Sequence, residues 1–299
     1  MTPRILVAGA TNQIGAFIVP SLLRQSGSVI ALARQPRPPW MPSNPQLDWR
    51  RGDMAQASAP IEDVDGVIYM GPLREFPRLW RRLSNVKRVV AFSSTSRLTK
   101  ADSPDPAERA VAAELAKGEQ RVQELAEATG AIWTVLRPTI IYGAGLDRSL
   151  TRLAMWLQQS RFMPLAGSGR GLRQPVHAKD LAETALSLMH YGTEAQGCYE
   201  VAGGSTISYR EMVRRIFESL DIKPHFLPVP MVLAKAALPI LKNFERWRDV
   251  NPAMIDRMNQ DLVFDYSAAA RDFGYQPRRF RPDPETWLRI DKQRDLTFY

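Results

Sequence analysis

The chain has 299 residues, 44% hydrophobic and 24% charged, a balance typical of a globular protein with one large domain or a large and a small one. Its net charge of +9 comes largely from arginines scattered in pairs, without a dense basic run, so nucleic-acid binding is not expected. The single cysteine, Cys198, excludes an internal disulfide framework and favours a reducing, cytoplasmic compartment.

Short runs rich in Val and Ile alternate with helical patterns along the first half of the chain. The alternation predicts an α/β fold in which helices cover both faces of a parallel sheet. The predicted strands lie at 4–10, 28–34, 65–71, 88–94 and 131–143. A further short strand is predicted near 197–203.

The first predicted strand leads into the turn GATNQIG, with the spacing Gly9-x-x-Asn12-x-x-Gly15, and then into a helix. A dinucleotide site needs such a turn, because its amides must face the pyrophosphate at a helix N-terminus with no side chain in the way. Asn12 stands where a glycine is expected, but asparagine tolerates left-handed backbone angles, which would keep the turn intact. The turn therefore predicts cofactor binding.

The second predicted strand ends in ALARQPRPP, with Arg34 and Arg37 and no acid nearby. An acid at this place would accept hydrogen bonds from the adenosine ribose, whereas an arginine would meet a 2′-phosphate. NADP(H) is therefore favoured over NAD(H). The competing interpretation is an ordinary pair of surface arginines.

The best delimited helix follows the fourth predicted strand. Asp105 can cap it, Pro106 suits its first position and Gly130 can end it. Its predicted core stripe consists of Val111, Leu115, Val122 and Leu125. Lys117 and Ala113 lie one turn apart and off that stripe.

Membrane insertion is not expected. The N-terminus lacks the cleavage pattern of a signal peptide. Prolines and a lysine interrupt the apolar stretch 226–244, so it cannot span a bilayer as one helix. It can instead lie on a membrane surface or form a lid.

Several linked motifs resemble those of the extended short-chain dehydrogenases/reductases, also called the NAD-dependent epimerase/dehydratase family. They are GATNQIG, RGDM, FSSTS, LRPTIIYGAG, RQPVHAKDLAET and GCYEVAGGSTISYREM. The resemblance covers nearly the whole chain and implies a Rossmann-type doubly wound parallel sheet, with a dinucleotide-binding domain at 1–145. Residues 146–299 would form a smaller C-terminal α/β substrate region that partly crosses back to the sheet.

The resemblance also implies which residues surround a bound cofactor. Those around the pyrophosphate would be Gly9, Thr11, Asn12, Gln13, Ile14 and Gly15. Arg34 would lie near the adenosine phosphate, and Asp53 and Met54 near the adenine. The inner ribose would be flanked by Gly71, Pro72 and Leu73. The nicotinamide would be flanked by Ser93, Ser94 and Thr95 and, on its carboxamide side, by Pro138, Thr139, Ile140 and Ile141.

In this family a tyrosine and a lysine one turn apart move the proton and hold the ribose. Lys117 matches the lysine, but Ala113 stands at the tyrosine, and a methyl group cannot supply general acid catalysis, which contributes about 10²- to 10⁴-fold. The candidates to replace the tyrosine are Ser94, Thr95, Lys100, Tyr142 and a water held by Lys117. The competing interpretation of Lys117 is a solvated lysine paired with Glu114 or Glu124.

Two further residues lie in RQPVHAKDLAET. The resemblance makes Arg173 a candidate to bind an anionic substrate group, with a loop-surface arginine as the alternative. His177 precedes a helix and is expected to make a structural hydrogen bond rather than act as a base. No metal site is predicted.

Two functions remain open. The first is an atypical NADP(H)-dependent oxidoreductase or epimerase-like enzyme, acting on a hydroxyl or keto group of a small organic or nucleotide-sugar substrate. The second is a catalytically weak or inactive NADP(H)-binding sensor or assembly protein. The missing tyrosine favours the second, while the serines of FSSTS, Lys117 and the large C-terminal region favour the first, which we prefer. Peripheral membrane contact through 226–244 and oligomer formation stay open.

Overall fold

The computed structural model describes residues 3–25, 27–53, 60–61, 63–241 and 252–290. Its strands are β1 (Arg4–Ala8), β2 (Ser28–Ala33), β3 (Leu47–Arg51), β4 (Gly66–Tyr69), β5 (Arg88–Phe92), β6 (Ile132–Pro138), β7 (Ile141–Tyr142), β8 (Met163–Ala166), β9 (Leu172–Arg173), β10 (Val176–His177), β11 (Gly197–Val201), β12 (Ile207–Ser208) and β13 (Phe226–Val229). Its helices are α1 (Gly15–Arg24), α2 (Phe76–Trp80), α3 (Ser96–Thr99), α4 (Pro106–Ala128), α5 (Leu150–Ser160), α6 (Ala178–Leu188), α7 (Tyr209–Ser219), α8 (Met231–Leu241), α9 (Pro252–Arg257) and α10 (Ser267–Phe273).

The central sheet has seven parallel strands in the order β11-β6-β5-β4-β1-β2-β3. The chain reverses its direction of winding between β1 and β4, which is the switch point of a doubly wound sheet. The predicted Rossmann-type fold is thus confirmed. Ligands of such sheets bind at the carboxyl ends of the strands beside the switch point, which is where the GATNQIG turn lies.

Each face of the sheet carries its own hydrophobic core, because successive side chains of a strand point to opposite faces. Val7 of β1 packs with the apolar residues of α1 and α6. Its neighbours Leu6 and Ala8 pack with those of α2 and α4. All three side chains are fully buried, which explains why β1 is a continuous apolar run.

The C-terminal region has a third core, formed mainly by α5, α7 and the aromatic residues Phe280 and Trp287. Strand β11 and helix α6 return to the central sheet and its covering layer. The division into 1–145 and 146–299 stays a prediction.

Helix α8 is apolar on both sides. Its inner residues pack with Ala166 and Ile255, while Val232 and Leu233 are 77% and 60% exposed. Among the helices in the described part of the chain, none is both long and apolar enough to cross a membrane. The predicted surface contact of 226–244 stays a prediction, and residues 242–244 lie outside the described residues.

Candidate cofactor and active site

The turn after β1 is held by close backbone packing. Gly9 has a φ of +90°, and a Cβ there would lie 3.1 Å from the carbonyl oxygen of Met70. A Cβ on Gly15 would lie 2.6 Å from the carbonyl oxygen of Ala10. The amide of Gly9 donates to the carbonyl of Leu32 at the end of β2. Both glycines are therefore required by the turn, which lies between the ends of β2 and β4.

Asn12 is accommodated for a reason that differs from the predicted one. It is not among the residues with positive φ, so its tolerance of left-handed angles is not used. Instead its side-chain oxygen accepts hydrogen bonds from the amides of Ile14 (2.9 Å) and Gly15 (2.8 Å). Its side-chain amide donates to the carbonyl of Met70 at 3.5 Å. Asn12 therefore caps the start of α1 from within the turn.

The basic residues after β2 lie beside this turn. Arg34 is exposed and directly follows β2, whose Leu32 carbonyl accepts the amide of Gly9. The Nε of Arg51, at the end of β3, donates to the carbonyl of Arg34 at 3.3 Å. Arg37 donates to the carbonyl of Pro42. The guanidinium of Arg34 is thus available to bind a phosphate, whereas Arg37 and Arg51 donate to backbone carbonyls.

The remaining residues predicted around the pyrophosphate and adenine occupy the same edge of the sheet. Thr11 and Gln13 are half-buried in the turn, and Asp53 follows β3. Met54 lies outside the described residues.

The segment after β4 connects the glycine turn with α4. Met70 contacts Gly9 and Asn12, as described above, and is followed by Gly71 and Pro72. Leu73 packs closely on α4, because a Cβ added to Gly118 would lie 2.4 Å from the Cβ of Leu73. Gly71 and Pro72 therefore lie between the glycine turn, which Met70 contacts, and α4, which Leu73 contacts.

Three hydroxyl residues follow β5, and their hydrogen bonds differ. Ser93 donates to the carboxylate of Glu119 at 2.6 Å. Thr95 is buried and donates to the carbonyl of Pro138 at 3.1 Å. Ser94 accepts from the amide of Ser96, and no acceptor for its own proton is found among the described residues. Ser94 is therefore the hydroxyl left to donate to a ligand.

A buried ion network fixes this end of β5 to α4. The carboxylate of Glu119 is 4% exposed and accepts two hydrogen bonds from Arg137, at 2.7 and 3.0 Å. Arg137 also donates to Glu200 of β11 at 2.9 Å. The Nε of Arg97 lies 2.8 Å from Glu119. The network sets which face of α4 points towards the sheet.

Helix α4 begins and ends as predicted, but its buried face includes two glutamates that the predicted stripe does not contain. The Asp105 side chain accepts from the amide of Ala107, and Gly130 follows the helix with a φ of +74°. The buried residues are Glu108, Ala112, Gly118, Glu119, Val122 and Ala126. Of the predicted stripe, Val122 is buried and Leu115 and Leu125 are half-buried, whereas Val111 is 43% exposed.

This orientation contradicts the predicted roles of Lys117 and Ala113. At 100° per residue, Lys117 lies about 170° from the centre of the buried face and Ala113 about 150°. Both residues are exposed. Lys117 has no ionic partner among the described residues, since Glu114 pairs with Arg74 and Glu124 with Arg121. Lys117 therefore points to solvent and away from the predicted ribose site.

The helix positions that face the site are apolar. Gly118 contacts Leu73, and Glu119 contacts Ser93. Leu115 lies one turn before these two helix residues, and Val111 lies one turn before Leu115. An alignment of the helix on Lys117 passes over this pair. The signal that could have found it is Glu119, whose partner Arg137 lies in the LRP segment.

Two of the predicted substitutes for the tyrosine are placed unfavourably. Tyr142 is 2% exposed, and its ring packs edge-on against His177 and Phe280. Burial raises the pKa of Tyr142, which makes it a poorer proton donor. Lys100 lies 3.9 Å from the buried carboxylate of Glu108, which also binds Arg257. The predicted role of Tyr142 as an acid is therefore contradicted by its packing.

Arg173 is not available to a substrate. It is 8% exposed, and its guanidinium donates to the backbone carbonyls of Leu172, Arg257 and Gln260. Its burial and these contacts contradict the predicted binding of an anionic group, because both terminal nitrogens of the guanidinium already donate to backbone carbonyls. Sequence reasoning missed this because two of the three partners, Arg257 and Gln260, lie more than eighty residues away in the chain.

His177 has a structural role, as expected from the sequence. Its Nδ1 accepts from the amide of Lys179 and caps α6. Burial is the main cause that lowers the pKa of His177 to about 3, so the ring is neutral at physiological pH.

The residues predicted along the nicotinamide carboxamide lie beside the β5 end, but neighbours use several of their polar groups. The Pro138 carbonyl accepts from Thr95, and the Thr139 hydroxyl donates to the carbonyl of Gln174. The Ile140 carbonyl accepts from Val176, and Ile141 begins the pairing of β7 with β10.

The chain is similar in sequence to several known proteins. Residues 78–202 match the model of the NAD dependent epimerase/dehydratase family. The chain is 22% identical to the uncharacterized protein y4nG of Sinorhizobium fredii, over 91% of this chain and 74% of that protein. It is 23% identical to UDP-glucose 4-epimerase of Vibrio cholerae, over 54% of this chain and only 47% of that protein.

Solved structures share the fold. The complex of MoeE5 with UDP-glucuronic acid and NAD superposes with a TM-score of 0.71 at 20% identity, covering 96% of this chain and 98% of that one. A UDP-galactose 4-epimerase superposes with a TM-score of 0.69 at 15% identity, covering 98% and 99%. The predicted resemblance to the epimerase/dehydratase family is confirmed over residues 78–202, and the solved structures share the fold of the chain.

Proposed function

We propose that this chain is an atypical NADP(H)-dependent oxidoreductase of the epimerase type, acting on a hydroxyl or keto group of a small organic or nucleotide-sugar substrate. The observation that supports it best is the assembly at one sheet edge of the glycine turn, Arg34, the segment 70–73 and Ser94. A nicotinamide cofactor would supply hydride transfer at this edge. The glycine turn and Arg34 would hold its phosphates, and Ser94 would donate a hydrogen bond to the substrate oxygen.

The weak point of this site is proton transfer. A serine hydroxyl without a neighbouring base is a poor acid, and α4 presents Val111 and Leu115 where a proton donor and its cationic partner would be useful. Loss of general acid catalysis costs about 10²- to 10⁴-fold in rate. The proposed enzyme is therefore slow with ordinary carbonyl substrates.

The assembly of the glycine turn, Arg34, the segment 70–73 and Ser94 also supports a second candidate function, an NADP(H)-binding sensor or assembly protein without turnover. The two functions are separated by following NADPH oxidation with a panel of small aldehydes and ketones, and NADP⁺ reduction with UDP-glucose and UDP-glucuronic acid. Turnover above the buffer rate with any of these substrates supports the enzyme. Saturable NADPH binding without turnover across the panel, and without epimerisation of the two UDP-sugars, favours the binding protein.

The cofactor preference is tested by Arg34→Ala. A charge-assisted hydrogen bond contributes about 1.5–3 kcal/mol, so the variant is expected to weaken NADPH binding by about tenfold or more and to leave NADH binding unchanged. Isothermal titration calorimetry measures both constants.

The matched control is Arg24→Ala, which removes the same charge at the far end of α1 and should change neither constant. If Arg34→Ala weakens NADH and NADPH equally, Arg34 does not read the 2′-phosphate. If it changes neither, the NADP(H) assignment loses its basis.

A further inference from the structure

The first amides of a helix have no partner within the helix, and dinucleotide sites use such amides to bind a phosphate. In this chain the amides of Ile14 and Gly15, at the start of α1, already donate to the side-chain oxygen of Asn12 at 2.9 and 2.8 Å. Both distances are those of good hydrogen bonds. Two of the amides at the start of α1 are therefore satisfied from within the turn.

The carboxamide of Asn12 is held in this position from more than one side. Its amide nitrogen donates to the carbonyl of Met70, on the segment between the glycine turn and α4. The backbone of Asn12 is fixed as well, since its amide donates to the carbonyl of Gly9 and its carbonyl accepts from Ala16. The φ of Asn12 is not positive, so its backbone conformation does not require an asparagine. The hydrogen bonds of its side chain are therefore what distinguishes asparagine at this position.

We propose that the Asn12 side chain is an internal occupant of the phosphate position, which closes the glycine turn in the absence of a dinucleotide and sets its affinity. This inference rests on the proposed function. A bound pyrophosphate must take over the amides of Ile14 and Gly15 from Asn12, so the carboxamide lowers the affinity for every dinucleotide. NADPH and NADH both contain the pyrophosphate, so the Asn12 side chain affects both cofactors equally. The preference for NADPH over NADH that Arg34 sets is unchanged.

The test compares the wild type with Asn12→Ala, Asn12→Gly and Asn12→Asp, using NADPH and NADH in isothermal titration calorimetry and thermal unfolding of the free protein. Alanine and glycine remove the internal acceptor. They are expected to lower the melting temperature of the free protein, because a helix cap is lost, and to tighten both dinucleotides by about five- to tenfold. Aspartate keeps the acceptor and adds a negative charge, so it should weaken both by about tenfold or more.

Asn44→Ala is the matched control, because the Asn44 side-chain oxygen accepts from the amide of Gln46 in a loop outside the glycine turn. It should leave dinucleotide affinity unchanged. If the wild type binds NADPH and both Asn12→Ala and Asn12→Gly bind it equally or less tightly, the inference is overturned while the proposed function stands. If only these two variants bind, the inference is supported and the wild-type turn is closed. If neither the wild type nor these variants bind a dinucleotide, the proposed function and the inference fail together.

Discussion

Introducing tyrosine at Val111 and lysine at Leu115 is expected to raise NADPH-dependent turnover by about 10²- to 10⁴-fold over the wild type. These two positions lie one turn apart on the face of α4 that contacts Leu73 and Ser93. The tyrosine would supply the missing acid, and the lysine would lower its pKa. Initial rates of NADPH oxidation with the carbonyl panel measure the gain, and thermal unfolding checks that the double variant is folded.

The matched control is Ala113→Tyr, which creates the family's tyrosine-lysine spacing with the native Lys117. Because Ala113 and Lys117 face solvent, this variant should turn over no faster than the wild type. A large gain with Ala113→Tyr and none with the Val111 and Leu115 variant would show that the orientation of α4 derived above is wrong.

Glu119→Ala is expected to destabilise the protein by about 3–5 kcal/mol, because removing one partner of a buried ion pair leaves the other uncompensated. Glu119 is buried and accepts hydrogen bonds from Ser93 and Arg137, and Arg97 lies within ion-pair distance. Arg137 keeps Glu200 as a partner, so we expect the lower half of that range. Urea denaturation gives the free energy of unfolding.

Glu124→Ala provides the comparison on the same helix, since its ion pair with Arg121 is exposed and such pairs contribute about 0–1 kcal/mol. Equal, small losses for Glu119→Ala and Glu124→Ala would contradict the structural role of the buried network.

The strands and the glycine turn could be predicted from the sequence because their signals are local. β1 is an unbroken apolar run that ends at a glycine, and both features follow from burial and a tight turn within a few residues. The ends of α4 were predictable for the same reason, since Asp105 and Gly130 act on adjacent backbone groups.

The burial of Glu108 and Glu119 on α4 could not be predicted because distant residues cause it. A helical wheel based on apolar residues assigns Glu108 and Glu119 to solvent. In the fold Arg257 and Arg137 pair with them and bury them. Lys117 misled the alignment in turn, because it is the only lysine between Lys100 and Lys179.

The roles of Arg173 and Asn12 could not be predicted either, because they depend on contacts that the local sequence does not show. The acceptors of Arg173 include carbonyls near residue 260, which no local pattern brings to it. Asn12 reads as a tolerated substitution in the sequence, whereas its function in the turn depends on where its side-chain oxygen lies.

The measurement that tests the central claim most directly is a fluorescence titration of the wild-type protein with NADPH and, separately, with NADH. Trp49 is a suitable reporter, because its indole nitrogen donates to the carbonyl of Gln35, next to Arg34. We expect a saturable change with both cofactors and a lower dissociation constant for NADPH. The absence of a saturable change with either cofactor, confirmed by calorimetry, would contradict a dinucleotide site at this edge of the sheet.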